Sequence, residues 1–85
     1  MSASRPSTPR ELCEFLVRQL VDDGEAVSIE ETIEEDGRVV LVVHCAPEDR
    51  GKVIGRDGRI ARAMRTVVRA AGMRTQSRIT IRVAE

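Results

Sequence analysis

The stretch GKVIGRDGRIARAMR, Gly51 to Arg65, packs three glycines into eight residues and then runs into a basic helical pattern. Residues 48 to 54 read as a short helical turn, Gly55 to Gly58 as a loop, and Arg59 to Ala71 as a second helix of about twelve residues capped by Gly72. Glycine lets a backbone turn sharply and lets another group come close to it. The helix start behind the loop leaves N–H groups without intrahelical partners, and these face an anion favourably. At about 100° per residue, Arg62, Arg65 and Arg69 lie within about 60° of one another, with Arg59 about 60–80° further round. Ile60, Met64, Val67, Val68 and Ala71 fill the opposite arc, so one face of this helix packs and the other is cationic.

Upstream of the loop the pattern has a period of two. Val27, Ile29 and Ile33 point one way and Ser28, Glu30, Thr32 and Glu34 the other, as in a strand with one covered face. Asp36-Gly37, both able to take positive φ, then predicts a tight hairpin turn. The return strand, Arg38 to Cys45, is apolar at nearly every position, which suits a central strand with neighbours on both sides; Pro47 closes it. If helices cover one side of the sheet only, Val40 and Val42 on the other side form an exposed apolar patch.

Before the hairpin, Thr8, Pro9 and Glu11 fit the N-cap, N1 and N3 positions of a capping box. Leu12, Phe15, Leu16, Gln19 and Leu20 then make a helical stripe that assigns Phe15 to the core, and Gly24 marks the helix end. Downstream, SRITIRV alternates Ile79, Ile81 and Val83 against Arg78, Thr80 and Arg82, a half-exposed strand. The predicted order is αββααβ, an α+β domain over residues 8–85 with a three-stranded sheet and helices packed on one face. Residues 1–7, a Ser/Arg/Pro tail with nothing to bury, are expected to be disordered.

The 85 residues carry 14 basic and 14 acidic side chains, a net charge of zero. Residues 1–50 hold five basic residues against twelve acidic, a net −7, and residues 51–85 hold nine against two, Asp57 and Glu85, a net +7. Such polarity can form a basic face that neutralises phosphates, or can draw the two halves together across the fold; charge alone leaves both open. Cys13 and Cys45 lie in apolar patterns and read as reduced core residues. The polar N-terminus MSASRPSTPR carries no secretory pattern, and the run Val39 to Val43 falls far short of the ~18 apolar residues of a membrane span, so a cytoplasmic protein without a membrane partner is expected. His44 has no second histidine to share a metal with, and the acidic run EETIEED alternates with apolar residues as a solvated strand face. No nucleophile and base are paired in the sequence, which reads as a non-enzyme with no catalytic residue, metal or cofactor.

Two phosphate-binding patterns fail on the glycine loop. Neither Gly55 nor Gly58 is followed by the Lys-[Ser/Thr] of a nucleotide-triphosphatase loop, and a dinucleotide-binding turn follows a strand, whereas this loop joins two helices. A purely structural turn and a phosphate clamp remain. Ile54-Gly55-Arg56-Asp57-Gly58 resembles the IGxxG signature of the KH domain, which holds about four nucleotides of single-stranded nucleic acid. The αββααβ order is similar to the prokaryotic, type II KH arrangement. With VIGRDGRIARAMRTVVRAA and no second domain, Thr8 to Val83 resembles the small bacterial single-KH RNA-binding proteins of the KhpA type. That resemblance implies RNA binding without catalysis, self-association as a homodimer, and pairing with a larger KH-containing protein of the KhpB type in control of cell elongation and division.

Carried over residue by residue, the resemblance makes Gly55 and Gly58 the loop glycines, Arg56 the phosphate contact and Ile54 part of the apolar floor under the bases. Gly51 and Lys52 lead into the loop, with Lys52 a second phosphate contact, and Arg59, Arg62 and Arg65 supply charge beyond it. Asp57 is out of place beside a phosphate path unless it points to solvent or caps the helix starting at Gly58 or Arg59; capping is the preferred account.

With no Trp or Tyr and one Phe, the chain lacks the aromatic platforms on which readers of single strands stack bases. Weak, permissive binding is expected, with three or four phosphates neutralised and a logarithmic salt slope of about −2 to −3. The leading reading is a dimeric single-stranded RNA-binding protein, a chaperone or post-transcriptional regulator. The alternatives are a protein-interaction module with weak or vestigial nucleic-acid binding, and a binder of single-stranded DNA.

Overall fold

The computed structural model describes residues 8–72 and 78–84. Helix α1 (Pro9–Leu20) is followed by strands β1 (Ser28–Ile33) and β2 (Val39–His44), helices α2 (Arg50–Ile54) and α3 (Arg59–Gly72), and strand β3 (Ile79–Val83). Single 3₁₀ turns stand at Gly24–Ala26, Pro47–Asp49 and Arg56–Gly58. The predicted order αββααβ is the observed one. The N-terminal tail and Ser77 lie outside the described residues.

α1 starts as its sequence requires: Pro9 occupies the first turn, and the Thr8 hydroxyl accepts from the Glu11 amide at 3.1 Å. It ends at Leu20, four residues before the predicted stop, because Gly24 opens its own 3₁₀ turn rather than capping the helix. The face turned to the sheet carries Cys13 and Val17, both fully buried. Phe15, assigned to the core by its stripe, is instead 50% exposed. Two residues from both Cys13 and Val17, it stands about 160° round the helix from each. The stripe followed the larger apolar side chains and was rotated off the true core face.

β2 is the central strand, antiparallel to β1 with Ile29 opposite Val43, and parallel to β3 with Leu41 opposite Ile81. The α2–α3 pair supplies the crossover that a parallel β2–β3 pair requires. All three helices lie on one face of the sheet, where Leu41, Val43, Ile79, Ile81 and Ile29 meet Cys13, Val17, Val53, Met64 and Val68 in one cluster. On the other face Val40 is buried rather than exposed: its partners in register are Thr32 and Thr80, β-branched residues on both flanking strands, and Val42 between Glu30 and Arg82 is half-buried. Ile33, predicted to share the covered face, is 67% exposed, lining an open pocket with Pro9 and Arg10 at the start of α1. In the hairpin only Gly37 takes positive φ (88°); the turn closes by Gly37 N–H donating to Glu34 at 2.9 Å, and Asp36 contributes its carboxylate, which accepts from the Arg38 amide at 3.0 Å. Cys13 and Cys45 are free thiols, buried and half-buried, and burial pushes Cys13 up to about 11.

Candidate nucleic-acid interface

α2 ends at Gly55, whose amide donates to Gly51 at 2.8 Å. Gly55 then takes φ 77°, ψ 171°, a region that essentially only glycine adopts. A Cβ there would lie 2.6 Å from Ile60 Cγ1 and 2.9 Å from the Ile60 backbone nitrogen, so the loop runs hard against the first turn of α3. Gly58, at φ 73°, is less confined: its Cβ would meet only the tip of Arg62, at 3.4 Å. Gly51 has open space around it and ordinary helical backbone.

Between the two loop glycines, Arg56 and Asp57 stand exposed. Asp57 adopts the left-handed conformation (φ 57°, ψ 26°), the one non-glycine with positive φ among the described residues. Its carboxylate has no hydrogen bond among the described residues, so the predicted helix cap is not formed. Its backbone is used instead, the carbonyl accepting from Arg62 Nη1 at 2.8 Å. That bond folds the Arg62 guanidinium back beside the loop, while Arg59 at the helix start remains exposed.

α3 divides lengthwise into three. Met64 and Val68 enter the core. On one flank Ile60, Ala63 and Val67 form, with Leu16 and Leu20 of α1, a largely apolar groove open to solvent that Gln19 and Arg59 also line; Val67 is 48% exposed, and Phe15 on α1 is 50% exposed. On the other flank Arg65 is half-buried, its Nε without a hydrogen-bond partner, and Arg69 donates Nε to the Ile79 carbonyl at 2.9 Å, tying the helix to the start of β3. The arginine flank therefore faces β3, and the apolar flank faces α1.

Lys52, exposed on α2, is paired with two carboxylates. Its ammonium bonds the Asp22 carboxylate just beyond α1 and lies 3.2 Å from Asp49 Oδ1. Asp49 is buried and also accepts from the Asp23 amide at 3.1 Å. That amide bond, with Lys52 adding to it, holds Asp49 below the usual carboxylate range against the opposing effect of burial, while Asp22 and then Asp49 push Lys52 up. The network clasps α2 to the α1–β1 connection. Asp22 was not singled out in the sequence, because it stands 30 positions from Lys52 and gives no local pattern; Asp49, three residues before Lys52, was within reach of a local reading and was passed over.

A three-stranded sheet with its parallel pair bridged by two helices, and a glycine loop between those helices, defines a KH domain of the prokaryotic, type II arrangement. Comparison with known proteins agrees. A family model described as "KhpA/KhpB, KH domain" matches residues 10–83, and the chain belongs to that family. It is 40% identical to the RNA-binding protein KhpA of Clostridium perfringens over 87% of this chain and 97% of that protein. To the KhpA of Aquifex aeolicus it is 37% identical over 93% and 99%, and to that of Streptomyces coelicolor 50% identical over 75% and 80%. No solved structure matches the chain. Among the described residues no helix is long and apolar enough to cross a membrane, and no group of three or more His, Cys, Asp and Glu side chains could hold a metal ion.

Proposed function

We propose that this chain binds single-stranded RNA by clamping its phosphate backbone on the Gly55–Gly58 loop, and that it acts without catalysis or cofactor. The observation that carries the reading is the loop itself. Its two positive-φ glycines turn the backbone sharply between α2 and α3, Arg56 stands exposed between them, and Arg62 is held against the loop by its bond to the Asp57 carbonyl. Ile54 gives an apolar floor, Gly51 leaves room for a strand to pass, and Arg59 and Arg65 extend the charge along α3. Asp57 is oriented by its backbone, so its carboxylate tempers affinity rather than assisting it. The relatives, RNA-binding KhpA proteins, support the same reading.

The protein works in the cytoplasm as a homodimer, with RNA-chaperone or post-transcriptional roles linked to cell elongation and division, and can pair with a larger KhpB-type partner. Support for association is the apolar groove between α1 and α3, with Val67 exposed in it, and the exposure of Phe15 on α1. The same groove favours the second reading, a protein-interaction module with vestigial RNA binding. The two separate in one experiment: anisotropy of labelled single-stranded RNA at about 50 and 200 mM salt, comparing wild type with Arg56→Glu/Gly58→Asp. This variant spares the crowded Gly55. Salt-sensitive binding that disappears in a folded variant supports the clamp; equal binding by both rejects it; no binding by either leaves the interaction module. A DNA oligomer of identical sequence, used as competitor, tests the preference for RNA.

A further inference from the structure

Between α2 and α3 the backbone carbonyls of Gly55, Arg56 and Asp57 each engage a donor. The first two are taken up inside the turn, by the Gly58 amide at 3.1 Å and by the Arg59 amide. The third accepts from a side chain, Arg62 Nη1, at 2.8 Å. In a loop that receives an anion this matters, because a carbonyl oxygen carries partial negative charge and repels a phosphate brought up to it. The guanidinium beside the Asp57 carbonyl offsets that charge.

The same bond bears on the shape of the loop. Asp57 is left-handed (φ 57°, ψ 26°), a conformation unfavourable for a residue with a Cβ, although aspartate tolerates it better than most. A bond to its carbonyl favours that conformation over the right-handed and extended ones, in which the carbonyl points elsewhere. The Arg62 guanidinium also lies against Gly58, where a Cβ would stand 3.4 Å from Nη1. At its other end the loop leans on α3 directly, Gly55 leaving no room for a Cβ beside Ile60. Two fastenings to the first turn of α3, Gly55 on Ile60 and Asp57 on Arg62, therefore hold the loop, with Arg56 exposed between them.

We infer, on the basis of the RNA-binding reading above, that Arg62 is a positioning residue of the clamp rather than a phosphate contact. It acts through the Asp57 backbone, keeping the loop in the form that presents Arg56. Affinity falls with the fraction of molecules in the binding-competent form, so losing this one hydrogen bond weakens binding by about two- to tenfold. The loss is the same at every salt concentration. A lost phosphate contact would instead make the logarithmic salt slope about 0.7 shallower on a single strand.

The test titrates a short labelled oligouridine with wild type, Arg62→Met, Asp57→Gly and the double variant across a salt series, with thermal unfolding followed alongside. Arg62→Met should weaken binding about two- to tenfold and leave the slope unchanged. Glycine takes the left-handed conformation without a steric penalty, so in the Asp57→Gly background the same substitution should weaken binding by less than about twofold. Removing the Asp57 carboxylate raises affinity in both backgrounds and cancels in the comparison. Should Arg62→Met unfold, Arg62→Gln removes the charge and keeps a polar stem. The inference is overturned if the folded, charge-free Arg62 variant binds as wild type, if its slope becomes about 0.7 shallower, or if its loss is equal in the two backgrounds. Arg56→Glu/Gly58→Asp in the same series distinguishes the two failures. If it loses binding while Arg62→Met is unchanged, only the Arg62 assignment fails; if it binds as wild type, or if wild type does not bind, the clamp reading fails and takes the assignment with it.

Discussion

Replacing Gly55 by alanine isolates the structural demand of the loop from its chemistry. The alanine must hold φ 77°, ψ 171°, which costs about 1–3 kcal/mol for a residue with a side chain. Its Cβ also enters at 2.6 Å from Ile60 Cγ1, 2.8 Å from Ile60 Cβ and 2.9 Å from the Ile60 nitrogen. Two of these three atoms belong to the first turn of α3 and its Cβ branch point, which cannot swing aside, so overpacking adds about 1–3 kcal/mol. The sum, about 2–6 kcal/mol, is a large part of the roughly 4–13 kcal/mol that 85 residues supply at about 0.05–0.15 kcal/mol each. At about 4–8 °C per kcal/mol the Tm should fall by at least about 8 °C. Gly58→Ala is the internal control: it keeps the φ cost of about 1–2 kcal/mol, but its Cβ faces only a flexible arginine tip at 3.4 Å. Far-UV circular dichroism on heating reads both. Gly55→Ala melting within about 3 °C of wild type, or no lower than Gly58→Ala, would refute the reasoning.

Gly51→Ala should do the reverse, raising Tm by up to about 4–8 °C because a helical glycine with nothing within 4 Å is replaced by a better helix former, while RNA affinity drops if the strand passes there; an unchanged affinity removes Gly51 from the interface. Asp49 has a folded pKa below its unfolded value of about 3.9, so the stability it contributes is present above that pH and is lost as pH falls through the lower folded value. The stability gap between wild type and Asp49→Asn in urea titrations should therefore narrow as pH falls from about 7 toward 2–3, and a gap independent of pH would contradict the assignment. Cys13, fully buried with its pKa pushed up to about 11, should resist alkylation at neutral pH until the protein unfolds; rapid labelling of folded protein would place it elsewhere. Val67→Glu should shift the chain toward monomer in sedimentation experiments while leaving RNA binding by the loop measurable, and an unaltered mass would take the α1–α3 groove out of the dimer contact.

The elements were legible in sequence because each carried a local signal. Thr8-Pro9 for the helix start, the shift to period two at Val27, the unbroken apolar run of a central strand, and glycines flanking Arg56-Asp57 all act within a few residues. What was misread depended on the third dimension. Phe15 and Val67 are apolar residues on helix faces that the single domain does not cover, and no periodicity distinguishes a face covered by the sheet from one left open. Val40 is covered by cross-strand neighbours rather than by helices. At the site, the pairing of Lys52 with Asp22 was not legible because the two stand 30 residues apart, although Asp49 lies only three residues before Lys52, and Asp57 looked like a cap because its left-handed backbone cannot be read from residue type.

The central claim is that phosphate meets the Gly55–Gly58 loop. Titrating isotope-labelled protein with single-stranded RNA and following each backbone amide by nuclear magnetic resonance tests it most directly. With phosphate on the loop, the amides of Gly55, Arg56, Asp57, Gly58 and Arg59 should shift first and furthest, with Ile54 and the β3 side of α3 following. Shifts that centre on Phe15, Leu16 and Val67 while the loop stays still would contradict it.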